Sequence, residues 1–203
     1  MTGESTVNIA YAGDRQLSVD ILNFLHQNDI SVSALVVSKG KKASHAEELI
    51  SLCDYLPSDL ILEGKKFREK QGIALLSALD LDYIIGIHFP YIVPKNVLTL
   101  PKYGVINLHP AFLPFNRGWH TASWAIIDGT PYGATLHLMD EGVDTGDILH
   151  QKEVKVCIDD TAHTLYQKVL KAEYEVFIEY WPNIATRKIH RKKQKLKNKP
   201  NTP

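Results

Sequence analysis

The sequence predicts an α/β protein built on a doubly wound, mostly parallel sheet. Short apolar segments alternate with segments of helical periodicity, as in chains of repeated β–α units. The segment 83–87 is almost continuously apolar, which is typical of a parallel strand covered on both faces. At 203 residues the chain is long enough for one such domain with a sizeable core.

Seven strands are predicted from apolar, Val- and Ile-rich runs. They cover 7–12, 31–38, 59–62, 83–87, 105–108, 132–139 and 148–156. The segment 132–139 alternates, and with 148–156 it is expected to form an antiparallel edge in the C-terminal third. Helices are predicted where apolar residues recur three or four positions apart, at 15–26, 45–53, 67–79, 94–98 with Pro94 in its first turn, 119–127 and from 161 onward.

The composition is that of an ordinary globular protein, with 44% hydrophobic and 23% charged residues. No apolar run reaches the length that spans a bilayer, and the first residues lack the pattern of a signal peptide. A cytoplasmic protein without membrane association is therefore expected. Cys53 and Cys157 form no close pair, so two free thiols are favoured over a disulfide.

The net charge of zero conceals a basic C-terminal end. No acid follows Glu179, whereas eight Lys and Arg residues lie between 187 and 199. We expect a catalytic domain over 1–186 and a flexible basic tail over 187–203. A solvated terminus is favoured over a nucleic-acid or membrane contact, and a truncated or frameshifted end would give the same patternless sequence.

Asn107 and His109 are the first candidate functional pair. Residues two apart in a strand point to one face, so their side chains project together. Pro110 cannot continue a central ladder, which places His109 at the carboxyl end of its strand, where open α/β sheets bind ligands. Taken alone, a capping Asn and a structural His explain the pair equally well.

An acidic loop at 140–147 provides the second candidate feature. Its sequence, DEGVDTGD, does not fit a calcium-binding EF-hand, because the glycines stand at the third and seventh positions and Gln151 occupies the place of the bidentate Glu. A solvent-exposed hairpin turn remains the simple alternative. The other histidines, His137 among them, show no metal-ligand spacing and are interpreted as structural or surface residues, so no metal is expected.

Together these segments resemble the N10-formyltetrahydrofolate-dependent formyltransferases. The resemblance rests on N-x-H-P at 107–110, L-P-x-x-R-G at 113–118 and M-D-E-G-V-D-T-G-D at 139–147. It implies a Rossmann-like formyltransferase fold, N10-formyltetrahydrofolate as the formyl donor, and Asn107, His109 and Asp144 as the catalytic residues.

The wording of 115–137 resembles the branch that formylates dTDP-linked amino sugars such as dTDP-4-amino-4,6-dideoxyglucose. This implies a nucleotide sugar and a folate as partners, no nucleic acid, and a role in lipopolysaccharide O-antigen or related glycan synthesis. The branch usually carries further C-terminal structure that supports dimerisation or nucleotide binding, so a homodimer stays open.

Two groups of binding residues complete the expectations. The resemblance implies that the folate is held by the loop 88–92 and the acidic loop, through His88, Phe89, Tyr91, Ile92, Asp140, Glu141 and Gly142. For the acceptor we expect contacts from Arg15 and Lys39, which follow the first two strands, and from Arg117 and Trp119. A solvated turn explains either of the first two equally well, and Trp119 could instead be a core residue at the start of a helix.

Three alternatives remain. Phosphoribosylglycinamide formyltransferase shares the catalytic residues and the overall size. Methionyl-tRNA formyltransferase is disfavoured because we expect no room for its C-terminal tRNA-binding domain. A non-catalytic folate- or nucleotide-binding module is the alternative outside the enzyme class, and intact Asn107, His109 and Asp144 argue against it.

Overall fold

A computed structural model describes residues 6–195 of the chain. Seven strands run in the order β1 Ile9–Gly13, β2 Ala34–Val37, β3 Ile61–Glu63, β4 Tyr83–Ile87, β5 Gly104–His109, β6 Tyr132–Leu138 and β7 Ile148–Val154. The helices are α1 Arg15–Gln27, α2 Ala46–Leu52, α3 Lys70–Ala78, α4 Lys95–Leu98, α5 Thr121–Asp128 and α6 Ala162–Ala185. Within 6–195 no helix has the length and apolarity needed to cross a bilayer.

The strands form one sheet in the order β3-β2-β1-β4-β5-β6-β7. β1 pairs in parallel with β2 and β4, and β2 pairs in parallel with β3. β7 runs antiparallel to β6, with Tyr132 opposite Val154 and an irregularity between Leu136 and His137. The predicted doubly wound, mostly parallel sheet with an antiparallel C-terminal edge is confirmed.

Several predicted elements differ in their bounds; the helix predicted at 119–127, for example, begins at Thr121. Three further differences concern local structure and burial. The third helix begins at Lys70 rather than at Phe67, because residues Lys66–Arg68 form a separate 3-10 turn with Phe67 buried. Pro94 precedes α4 as its capping residue instead of lying in its first turn. All residues of β6 are buried, although its sequence alternates, so both faces of this strand are covered.

The described residues divide into two compact units. The first comprises residues 6–106 together with Asn183–Lys188, and the second comprises Asn107–Pro182 together with residues 189–195. The boundary expected at 186/187 stays a prediction, and residues 196–203 of the expected tail lie outside the described residues.

In the first unit, the end of α6 is joined to the start of β4 by a buried carboxylate. Asp82 is 4% exposed, and its Oδ2 accepts hydrogen bonds from the Asn8 N–H at 2.9 Å and from Arg187 Nε at 2.9 Å. Arg187 Nη2 lies 2.7 Å from the same oxygen. Burial by itself would raise the pKa of Asp82, but the hydrogen bonds from Arg187 and Asn8 outweigh it and lower that pKa.

We expect Asp82→Asn to lower the free energy of unfolding by about 1.5–3 kcal/mol at pH 7, the usual value of a hydrogen bond to a charged group. Because the pKa of Asp82 is lower in the folded state, its contribution is present above the unfolded pKa of about 4 and is lost as the pH falls through the folded pKa. Urea unfolding at neutral and acidic pH measures both effects.

Asp80→Asn is the matched control, because the Asp80 side chain is 81% exposed and pairs with Lys102 at the surface. We expect it to change stability by less than about 1 kcal/mol at any pH. A difference between Asp82→Asn and the unsubstituted protein that persists undiminished in acid would contradict the assigned role of the carboxylate.

Candidate active site

The second unit brings two predicted residues to the end of strand β5. His109 is the last residue of that strand and is 6% exposed, and Asn107 precedes it on the same face. His109 Nε2 lies 3.2 Å from the Asn116 carbonyl oxygen and 3.6 Å from Asp144 Oδ2. Because Nε2 faces two oxygen acceptors, it carries the hydrogen in the neutral imidazole.

Asp144 lies in the loop between β6 and β7, and its carboxylate is 14% exposed. Its Oδ2 accepts a hydrogen bond from the Gly118 N–H at 2.9 Å, and its Oδ1 lies 3.6 Å from His137 Nε2. The residue adopts a φ of 50°, a left-handed conformation that is uncommon outside glycine. The loop therefore turns the carboxylate back towards the strand ends.

His137 completes the cluster, so its interpretation as a surface residue is wrong, whereas a structural role agrees with its contacts. The side chain is 1% exposed; its Nδ1 donates to the Leu138 carbonyl at 2.8 Å, and its Nε2 lies 3.2 Å from Asn107 Nδ2. With Nδ1 directed at that carbonyl, Nε2 is the acceptor for the Asn107 amide and fixes its orientation. The available signal was its place near the carboxyl end of β6, the position that singled out His109.

The pKa values of His109 and Asp144 are both lowered, which leaves the imidazole neutral and the carboxylate charged. Burial lowers the pKa of His109, and the Asp144 carboxylate opposes that shift without reversing it. Burial would raise the pKa of Asp144, but the His109 imidazole and the Gly118 N–H hold it well below its ordinary range. At neutral pH the site therefore contains an ionised carboxylate beside a neutral imidazole.

Two of the four residues expected to bind the acceptor lie in the second unit. Arg117 Nη2 donates to Gln194 Oε1 at 2.5 Å; burial lowers the pKa of Arg117, and Asp144 and Asp140 oppose that shift. Trp119 is 73% exposed, so the alternative of a core residue is wrong.

The acidic loop contains three of the residues expected to bind the folate. Asp140 Oδ1 accepts from the Gly142 N–H at 3.0 Å, and Glu141 is exposed.

The remaining predicted residues lie in the first unit. The rings of Phe89 and Tyr91 are 5.2 Å apart, and the Tyr91 hydroxyl accepts from the Lys39 N–H at 3.3 Å. Ile92 is 82% exposed. Other residues of this group show backbone strain, because Arg15 and His88 have φ values of 71° and 51°. The loop 88–92, expected to bind the folate, and Lys39, expected to bind the acceptor, are thus in direct contact.

The catalytic, folate-binding and acceptor-binding roles of these residues stay predictions. Within residues 6–195, His, Cys, Asp and Glu side chains form no group of three suited to a metal ion. The cluster of Asn107, His109, His137 and Asp144 instead provides an amide donor, a basic imidazole and a fixed negative charge. Such groups suit acyl transfer, in which an oxyanion develops and a proton moves.

Comparison with known proteins adds independent findings. A family model described as "Formyl transferase" matches residues 7–180. A methionyl-tRNA formyltransferase of Geobacillus sp. (strain WCH70) is 32% identical over 188 residues, which cover 90% of this chain and 59% of that relative. The chain thus spans little more than half the length of this curated relative.

Two solved structures are similar in fold and sequence. A 4-N formyltransferase from Francisella tularensis aligns with a TM-score of 0.76 and 28% identity, covering 93% of this chain and 73% of that one. The formyltransferase PseJ from Anoxybacillus kamchatkensis, in complex with UDP-4,6-dideoxy-4-formamido-L-AltNAc and tetrahydrofolate, aligns with a TM-score of 0.66 and 26% identity, covering 96% and 82%.

We expect Asp144→Asn to lower the pKa of His109 further, because the nearby carboxylate favours the protonated imidazole. Asparagine keeps an oxygen that can accept from the Gly118 N–H, so the loop retains that contact. An NMR titration of the His109 ring measures the shift, and Asp147→Asn in the same loop is the control. An unchanged pKa of His109 in Asp144→Asn would show that the Asp144 carboxylate does not act on the imidazole.

Proposed function

The chain belongs to the formyl transferase family, and we propose that it transfers a formyl group from N10-formyltetrahydrofolate to the amine of a nucleotide-linked amino sugar. The observation that carries this proposal is the buried cluster in the second unit, where the His109 imidazole lies 3.6 Å from the Asp144 carboxylate. Asn107, at the same strand end, is held by His137.

The reaction starts with attack of the neutral amine nitrogen on the formyl carbon. A new C–N bond forms, and the carbonyl electrons move to oxygen, which becomes negative. An N–H of the Asn107 amide stabilises that oxyanion; one such donor is worth about 100- to 1000-fold in rate. His137 supports this role, because accepting one amide hydrogen fixes the direction of the other.

The proton balance assigns a role to the imidazole. Its Nε2–H faces Asn116 and Asp144, so Nδ1 is the basic atom that accepts the proton from the attacking nitrogen. The resulting imidazolium is stabilised by Asp144 and adds a positive charge beside the oxyanion. Collapse of the intermediate then breaks the bond from carbon to N10, and N10 gains the proton.

The amino-sugar acceptor is supported by the resemblance at 115–137 and by the two solved structures at more than 25% identity. One is a 4-N formyltransferase, and the other was solved with a UDP-linked 4-formamido sugar. For this chain we propose a dTDP-linked 4-amino sugar for O-antigen or surface-glycan synthesis. Methionyl-tRNA is the second candidate, favoured by the identity to the curated relative.

A panel of acceptors tests the proposal directly. The protein and N10-formyltetrahydrofolate are incubated with dTDP-4-amino-4,6-dideoxyglucose, UDP- and GDP-linked amino sugars, glycinamide ribonucleotide and methionyl-tRNA, and products are identified by mass. A gain of one formyl group on an amino sugar supports the proposal. Formylation of methionyl-tRNA or glycinamide ribonucleotide alone assigns the chain to those activities, and tight folate binding without any transfer favours a binding module.

We expect His109→Ala and Asp144→Ala to nearly abolish transfer, because the first removes the base and the second removes the charge that stabilises the imidazolium. Asn107→Ala should lower kcat by about 100- to 1000-fold through loss of the oxyanion donor. Steady-state kinetics measure these losses, and thermal unfolding confirms that the variants fold. His150→Ala is the control, since this partly exposed histidine pairs with Glu179 away from the cluster. Near-wild-type turnover in His109→Ala would remove the assignment.

We expect Ile92→Ser to raise the KM for the folate with little change in stability. The side chain is 82% exposed, so it contributes little to the core, whereas a bound pterin would cover it. Ile127→Ser is the matched control, because Ile127 is 69% exposed in α5. Equal folate KM values for the two variants would argue against a folate contact at Ile92.

A further inference from the structure

We propose that Gln194 is a positioning residue, which holds the Asp144 carboxylate against His109 and His137 by clamping the loop that carries it. Gln194 belongs to the basic C-terminal segment for which the sequence predicts no function. The kinetic part of this inference rests on the proposed formyl transfer, whereas its electrostatic part concerns the cluster itself.

The side-chain amide of Gln194 uses both of its ends. Nε2 donates to the Asp144 carbonyl at 2.9 Å and to the Gly146 carbonyl at 2.7 Å. Oε1 accepts from Arg117 Nη2 at 2.5 Å. Two hydrogen bonds therefore hold the backbone of the acidic loop, and the third holds the residue that precedes Gly118.

These contacts link the two segments that meet at Asp144. The Gly118 N–H donates to the carboxylate, while Gln194 holds the backbone of the same aspartate and the neighbouring Arg117. The side chain and the main chain of Asp144 are thus fixed from two directions. Asp144 has a left-handed backbone conformation, which persists only where surrounding contacts stabilise it. The contacts of Gln194 provide such stabilisation.

The segment carrying Gln194 is itself anchored by its backbone. Lys192 and Ile148 exchange two hydrogen bonds of 2.9 Å between their N–H and carbonyl groups, and the His190 N–H donates to the Tyr180 hydroxyl at 2.8 Å. Neither contact involves the Gln194 side chain. A substitution of Gln194 should therefore remove the clamp without releasing the segment.

The test is a double-mutant cycle on the pKa of His109 in the full chain. The charged or titratable groups that act on His109 are Asp144, His137 and Glu173. The shift caused by Asp144→Asn reports the contribution of the carboxylate, and it is measured by NMR in the wild-type and Gln194→Met backgrounds. Comparing the two shifts cancels changes in burial that are common to both proteins.

If Gln194 positions Asp144, the Asp144→Asn shift in the Gln194→Met background falls to about half or less of its wild-type value. The kcat for formyl transfer should fall by about 10- to 100-fold, as expected for a misplaced catalytic group, while the folate KM stays within about twofold. Gln194→Glu should behave likewise, because its carboxylate can accept from Arg117 but cannot donate to the two carbonyls. The exposed Lys193→Met is the matched control and should leave all three quantities unchanged.

An Asp144→Asn shift of equal size in both backgrounds would overturn the inference, even if Gln194→Met lowers the unfolding temperature. Wild-type behaviour of Gln194→Glu would overturn it too, since donation to the carbonyls would then be dispensable. If the wild-type protein transfers no formyl group, the proposed function fails, and the titration cycle still decides whether Gln194 positions Asp144.

Discussion

The Asp144 carboxylate keeps its charge although only 14% of its side chain is exposed. A buried charge is costly unless hydrogen bonds and opposite charges surround it. Here the Gly118 N–H and the His109 imidazole offset the cost, and the pKa of Asp144 is lowered as a result. The Asp144 charge opposes the effect of burial on the pKa of His109, and it holds the acidic loop to the Gly118 N–H.

The cluster also shows how two histidines acquire different roles from different partners. His137 donates from Nδ1 to a carbonyl next to it in sequence, so its Nε2 remains an acceptor for the Asn107 amide. His109 directs Nε2 towards two oxygens, so its Nδ1 is the basic atom. The opposite tautomers leave one imidazole to orient an amide and give the other a basic nitrogen, which the proposed transfer requires.

The sequence predicts those parts of the molecule that follow from local patterns. β4 has the predicted bounds 83–87, and His109 ends β5 as the following proline requires. The missed contacts join residues distant in sequence: His137 meets Asn107 30 positions away, and Gln194 meets Asp144 50 positions away. The segment around Gln194 has no apolar pattern and is held by polar hydrogen bonds, which periodicity does not reveal.

The same contacts bear on how an acidic acceptor would be recognised. Arg117 is expected to bind the acceptor, yet its Nη2 already donates to Gln194, and the charges of Asp144 and Asp140 act on it. A guanidinium compensated in this way attracts a diphosphate weakly.

In the first unit, Lys41 and Lys42 are exposed, and Lys42 Nζ lies 4.9 Å from the centre of the Tyr91 ring. Lys39 pairs with Glu63 only at the surface, at 3.4 Å. A pair that remains in water exchanges readily for a phosphate oxygen, so the electrostatics favour Lys39 over Arg117 as a contact for the diphosphate of the proposed acceptor.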